Sequence, residues 1–184
     1  MTPAALGLRW PAEGEPHAAT WLAWPHHRAD WPGKADAIPW VYAEIVRELQ
    51  RVERIRLLVS SARGQAQASR VLARAGADPG EVDFVRLPTD RSWTRDTLPQ
   101  FLVHGGRAGA RPRVGLGAVK WRFDGWARYR NHRRDEAAGQ QVARGWADRW
   151  WEPTTHQRGR ERRVVLEGGG IDGDGQGTVI ASEP

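Results

Sequence analysis

The chain contains no cysteine, which excludes disulfides, thiolate metal centres and a cysteine nucleophile supplied by these residues. No apolar run is long enough to span a bilayer, so no membrane partner is expected. Met1 to Trp10 lacks the basic start and apolar core of a signal peptide, and a cytoplasmic location is the expectation. Lysine is nearly missing too. Lys34 and Lys120 are the only two, so the net charge of +6 is carried mainly by arginine, most densely over Arg122–Arg134 and Arg158–Arg163. A nucleic-acid surface could use such clusters. They hold no recognisable nucleic-acid motif, however, and arginine in place of lysine often follows genomic base composition, so no nucleic-acid partner is expected.

What is present reads as one globular domain: 184 residues, 40% hydrophobic and 27% charged, enough for a substantial core. Tryptophan is the outlier, with eleven irregularly spaced copies. An indole buries a large area and offers one N–H, so most are expected in the core or lining a cleft.

Residues 1–19 read as an irregular lead-in. Thr20–Trp24 is a short apolar run stopped by Pro25, a buried-strand pattern, and His26–Gly33 is a loop. His26 and His27 are adjacent and would point to opposite faces of an extended segment, with no third ligand in view; they read as solvated loop residues. Pro39 can open a helix whose apolar stripe is Val41, Ile45, Val46, Leu49 and Val52. A strand over Arg54–Val59, a helix over Gly64–Ala75 and a strand over Val82–Leu87 follow. Helix, strand, helix, strand with short turns is α/β architecture. Further on, Val114–Val119 reads as a strand, Trp121–Trp126 as an aromatic loop, and Asp135–Trp151 as a helix with Ala137, Val142, Trp146 and Trp150 on one side. Arg162–Leu166 is a strand leading into Glu167-Gly168-Gly169-Gly170. The turn Asp172–Gly177 has the oxygen spacing of a calcium loop, but strand-forming residues on both sides replace the two helices such a loop needs, and a plain hairpin is the reading.

The stretch Trp93-Thr94-Arg95-Asp96 sits between two apolar strand runs, where a scaffold presents polar side chains. A carboxylate beside an indole suits a planar cation, because the ring shields the ion pair and adds a cation–π term. On local features alone, a structural pairing of Arg95 and Asp96 with Trp93 in the core accounts for the same residues.

Four fragments in order bear on that choice: Thr20-Trp21-Leu22-Ala23-Trp24-Pro25-His26, Asp90-Arg91-Ser92-Trp93-Thr94-Arg95-Asp96, Trp121-Arg122-Phe123-Asp124-Gly125-Trp126, and Val164 through Glu167 to Asp172. Together they resemble the N-terminal half of the agmatine deiminase family, relatives of the bacterial peptidylarginine deiminases, over about residues 18–182. The resemblance implies a pentein α/β propeller of five ββαβ-type blades, of which about two to three fit here. It implies hydrolysis of a small guanidinium compound, agmatine-like, to a ureido product and ammonia. A cysteine attacks the guanidinium carbon, a histidine moves protons and carboxylates hold the nitrogens, with no cofactor and no metal. By the same resemblance Asp96 is one guanidinium carboxylate, and Arg95 braces its turn through a nearby acid. Glu167 orients the catalytic histidine, while Trp93, Trp121 and Trp126 line the cleft.

Two positions depart from the family pattern. Leu98 stands where glycine usual precedes the proline, and Asp124 stands where asparagine is common, its charge aimed at the substrate's distal amine or at Arg122. The family's His-x-Asp motif and its cysteine both belong to the C-terminal half. None of the six histidines here sits in a His-x-Asp context. The expectation is therefore the N-terminal part of one deiminase domain, inactive by itself. The alternative is a remnant that binds guanidinium without turnover.

Overall fold

The computed structural model describes residues 1–105, 115–125 and 129–182. The chain divides into two compact units, Pro16–Thr94 and Met1–Glu15 with Arg95–Pro184. In chain order the strands of the first half are β1 (Leu8–Arg9), β2 (Thr20–Ala23), β3 (Ile55–Val59), β4 (Val82–Arg86) and β5 (Gln100–His104). Those of the second half are β6 (Leu116–Val119), β7 (Arg149–Trp151), β8 (Thr154–Gln157), β9 (Arg160–Arg163), β10 (Ile171–Gly173) and β11 (Val179–Ala181). Helices are α1 (Ile38–Leu49), α2 (Ala62–Arg74), the single turn α3 (Thr94–Thr97) and α4 (Arg133–Trp146).

The Pro16–Thr94 unit is a three-stranded parallel sheet in the order β2-β3-β4, with Leu22 opposite Leu57 and Leu57 opposite Phe84. Parallel neighbours need crossovers, and α1 and α2 supply them. Strand β3 is central, and Ile55, Leu57, Leu58 and Val59 are all buried. Helix α2 begins at Ser61, whose hydroxyl accepts the Gly64 N–H at 3.1 Å, a cap worth about 1 kcal/mol. The core joins Ala43 and Val46 of α1 to Ala68 and Leu72 of α2 over Ile55 and Leu57. Each fully buried aliphatic side chain there stabilises the unit by roughly 1.5–3 kcal/mol.

Helix α1 begins with Pro39 in its first turn, as the sequence indicates, and turns only part of the expected stripe, Val46 and Leu49, toward the core. Val41, Ile45 and Val52 of the predicted stripe are 51%, 38% and 81% exposed, while Ala43 and Val46 are buried and Tyr42 and Leu49 pack beside them. With Ala43 and Val46 inward, Val41 and Ile45 fall on the outer side of the helix.

In the other unit, β1-β5-β6-β7 form one sheet, antiparallel except for the β6–β7 pair. Two antiparallel hairpins, β8–β9 and β10–β11, complete the strands described. Three expectations are corrected. The lead-in contains β1, paired to β5 through Leu8 and His104. The helix expected over Asp135–Trp151 stops at Trp146, because Arg149–Trp151 pairs with Gly117–Val119 as β7. Aromatic residues favour a pleated edge, and the Arg149 guanidinium lies 5.3 Å from the Trp151 ring centroid. The inward face of α4 is Asp135, Ala138, Gly139, Val142 and Ala143, whereas Ala137 is exposed.

The hairpin expected around Asp172–Gly177 is present, with Ile171 opposite Ala181. Asp174 accepts the N–H groups of Gln176 at 2.7 Å and Thr178 at 3.0 Å, so it serves the turn. The tryptophans are less buried than expected: among the ten described, only Trp24 is fully buried, and Trp40 is 46% exposed.

Candidate active site

Asp96 lies in α3, directly after β4 and its loop and ahead of β5. Its Oδ1 accepts the main-chain N–H of Gly169 at 3.1 Å. Arg95 reaches the same glycine-rich segment: Nε donates to the Gly168 carbonyl at 2.9 Å and a terminal nitrogen to the Ile171 carbonyl at 3.2 Å, while the other pairs with Glu13. The brace expected of Arg95 is thus made with Glu13 and two carbonyls.

The glycines permit that approach. A Cβ at Gly168 would stand 2.1 Å from the Arg95 carbonyl oxygen, and one at Gly169 would stand 2.5 Å from Asp96 Oδ1. Close passage of two backbones, and not a left-handed φ, requires glycine here. The consequence is that Glu167, the residue before Gly168, is brought beside Asp96.

Electrostatics records the same grouping. Burial pushes the Asp96 carboxyl above its ordinary value, against the opposing pull of the Gly169 N–H and the Arg95 charge. Glu167 is raised as well, first by burial, then by the negative charges of Asp96 and Asp124. Ionising Glu167 next to two like charges costs energy, and a bound cation would relieve that cost. Asp96 spends part of one oxygen on Gly169, which leaves lone pairs free for two parallel N–H donors of a planar guanidinium.

Asp124 belongs to the segment after β6, anchored by Glu136 of α4. Glu136 Oε2 accepts the Phe123 N–H at 2.9 Å and the Lys120 ammonium at 2.7 Å. Burial opposes ionisation of Glu136, yet the hydrogen bond and charge of Lys120, with help from Phe123 and Arg163, hold its carboxyl below the usual value. The Trp121 indole donates to Gln100 Oε1 at 2.8 Å and is half-buried. Trp126 lies outside the described residues.

Trp93 belongs to the Pro16–Thr94 unit, where its ring lies 5.3 Å from that of Trp31 at a tilt of 46°. The loop before it is held at successive points: the His26 ring lies 3.0 Å from the Thr89 carbonyl, Asp30 pairs with Arg91, and Tyr42 hydrogen-bonds Ser92. His27 lies 3.2 Å from Asp30, so both histidines read as solvated make contacts within the loop. Among the described residues no group of three or more His, Cys, Asp or Glu could hold a metal ion. No helix among them is long and apolar enough to cross a membrane.

Sequence reasoning missed Lys120 and Glu136, because a lysine 1% exposed has no local signature. The only hint is the glutamate at the inner edge of an otherwise polar helix start.

Glu167 thus stands in the field of Asp96 and Asp124, an arrangement that could hold a cation. The chain belongs to the Porphyromonas-type peptidyl-arginine deiminase family, whose profile matches residues 9–184. It is 32% identical to the agmatine deiminase of Pseudomonas aeruginosa (strain LESB58) and 32% identical to that of Ectopseudomonas mendocina (strain ymp), in each case over 99% of this chain and 45% of the relative. Its fold is similar to that of the agmatine deiminase of Enterococcus faecalis, with a TM-score of 0.75, 22% identity, and coverage of 98% of this chain and 45% of that one. The chain therefore spans about half the length of the curated relatives it matches.

Proposed function

We propose that this chain supplies the guanidinium-holding carboxylates of an agmatine deiminase-like hydrolase, with a pentein propeller of which two to three blades lie in these residues. The observation that carries the reading is the grouping of Asp96, Glu167 and Asp124 within one unit. In this reading Asp96 binds two guanidinium nitrogens and fixes the plane of the group. Localising positive charge near one nitrogen makes the central carbon a better electrophile.

A thiolate then adds to that carbon, the C–N bond to one terminal nitrogen breaks, and ammonia leaves. Water displaces sulfur, so agmatine and water become N-carbamoylputrescine and ammonia, a step toward putrescine. This chain holds no cysteine, so the nucleophile comes from the other half of the family's length, and by the family resemblance so does the histidine that moves its proton. Glu167 orients that histidine. Trp121 lines the substrate's alkyl chain, and Asp124 faces its distal ammonium. Trp93 and Trp126 keep the cleft-lining roles that the family resemblance implies. A small guanidine fits better than peptidylarginine, because a third carboxylate suits a second positive charge.

A second reading, a guanidinium-binding protein without turnover, is favoured by the same lack of cysteine. Incubation of the 184-residue chain with agmatine tests what the two readings share: binding without ammonia release is expected, release above blank would overturn the assignment of the nucleophile to another segment, and failure to bind would overturn the carboxylate clamp. Joining the chain to a segment that bears the family's cysteine and histidine separates them, since ammonia release then supports the hydrolase and its absence the binding protein.

A further inference from the structure

Two segments deliver acids that act on one another: residues 120–124 carry Asp124, and residues 163–167 carry Glu167, which also feels Asp96. They lie side by side. The Arg122 N–H donates to the Val164 carbonyl at 3.0 Å, and the Leu166 N–H returns to the Arg122 carbonyl at 3.4 Å. Arg122 and Val165 form an isolated parallel bridge, outside any longer sheet. A ladder this short has little stability of its own.

One carboxylate closes it from behind. Glu136 Oε2 takes the Phe123 N–H and the Lys120 ammonium, and Oε1 takes the Arg163 guanidinium. Lys120 also donates to the Trp121 carbonyl at 2.5 Å, and Arg163 to the Lys120 carbonyl at 3.3 Å. Arg163 extends the set to Glu152 at 2.7 Å, which in turn accepts from Gln140 at 2.8 Å. Lys120 is 1% exposed, so its charge is committed to this cluster and not to solvent. Removing one member of such a group leaves a buried charge uncompensated.

We infer that Glu136 is a positioning residue for the guanidinium site, tying the segment that bears Asp124 to the segment that bears Glu167. It touches neither substrate nor reacting atoms. Its effect on binding rests on the guanidinium reading above, whereas its effect on the two segments does not.

The test compares wild-type chain with Glu136→Gln and the milder Arg163→Lys, first without ligand. Amide hydrogen exchange should quicken by about tenfold at Arg122 and Leu166, the rungs joining the segments, as well as at Phe123, while helix α2 keeps its protection. A change at Phe123 alone would make Glu136 a local hydrogen-bond acceptor and overturn the proposal. Should Glu136→Gln fail to fold, Arg163→Lys decides, since it weakens the fork onto Glu136 and Glu152 while keeping the charge. Agmatine titration follows. Glu136→Gln should weaken binding in the wild-type background and have much less effect in a Glu167→Gln, Asp124→Asn background, because it acts through those two groups. Equal losses in both backgrounds would contradict it. A wild-type chain that ignores agmatine yet shows the coupled exchange would remove the guanidinium reading and leave the tie standing.

Discussion

The main-chain N–H of Gly169 donates to Asp96 Oδ1 at 3.1 Å, across 73 residues of chain. That bond fixes Asp96 in its turn and sets Glu167 beside it, since Arg95 holds the Gly168 carbonyl from the other side. The candidate site is a product of this contact more than of either motif alone.

Gly168→Ala tests the closeness of the two backbones. Its Cβ would meet the Arg95 carbonyl at 2.1 Å, and main-chain atoms on both sides must shift to admit it. A loss of about 1–3 kcal/mol in stability is expected from such overpacking, measured by urea unfolding. Gly145→Ala, on open space in α4, should be neutral or slightly stabilising. Equal effects at the two positions would show that the Gly168 contact is not tight.

The raised carboxyls set a pH dependence with a definite sign. For Asp96 and Glu167 the folded value exceeds the unfolded one, so the folded chain binds more protons between the two. Their contribution to stability is full below the ordinary carboxylate value and is lost as pH rises through the raised values. On the proposed reading agmatine binds the ionised carboxylates. Its affinity should therefore fall as pH drops through the raised values, with protons released on binding there. Calorimetry in two buffers of different ionisation enthalpy measures this: heat that depends on the buffer is expected as pH falls through those values, and heat independent of the buffer well above them.

Asp124→Asn removes the charge proposed to face a distal amine. For a partly exposed pair the loss is about 0.5–1 kcal/mol, a few-fold in affinity. The expected loss applies to agmatine and not to butylguanidine, which has the same guanidinium and no amine. A like loss for both ligands would move Asp124 from specificity to the general field of the site.

Much of this was legible from residues alone, for physical reasons. The parallel β2-β3-β4 core follows from short apolar runs separated by helical spacing, and the Asp172–Gly177 turn from its Gly-Asp content. Asp96 and Glu167 are singled out by the family resemblance of four ordered fragments and not by local features, which a structural pairing explains equally well. What could not be read was set by long-range packing. Ala43 and not Val41 joins Val46 in the core because contacts with α2 and β3 fix how α1 is rolled, and Arg149–Trp151 leaves the helical pattern because β6 offers an edge. Lys120 looks like a surface cation until α4 brings Glu136 over it. Trp31 stacks on Trp93 through a loop whose sequence carries no periodicity at all.

The most direct measurement is calorimetric titration of agmatine into the chain and into its Asp96→Asn variant at neutral pH. Loss of a charge-assisted pair should cost about 1.5–3 kcal/mol, roughly ten- to a hundredfold in affinity, with the circular dichroism of the two proteins the same. One-to-one binding by the wild-type chain that falls by that factor in Asp96→Asn is the expected result. No binding, or binding unchanged by the substitution, would contradict the assignment of Asp96 as the guanidinium anchor.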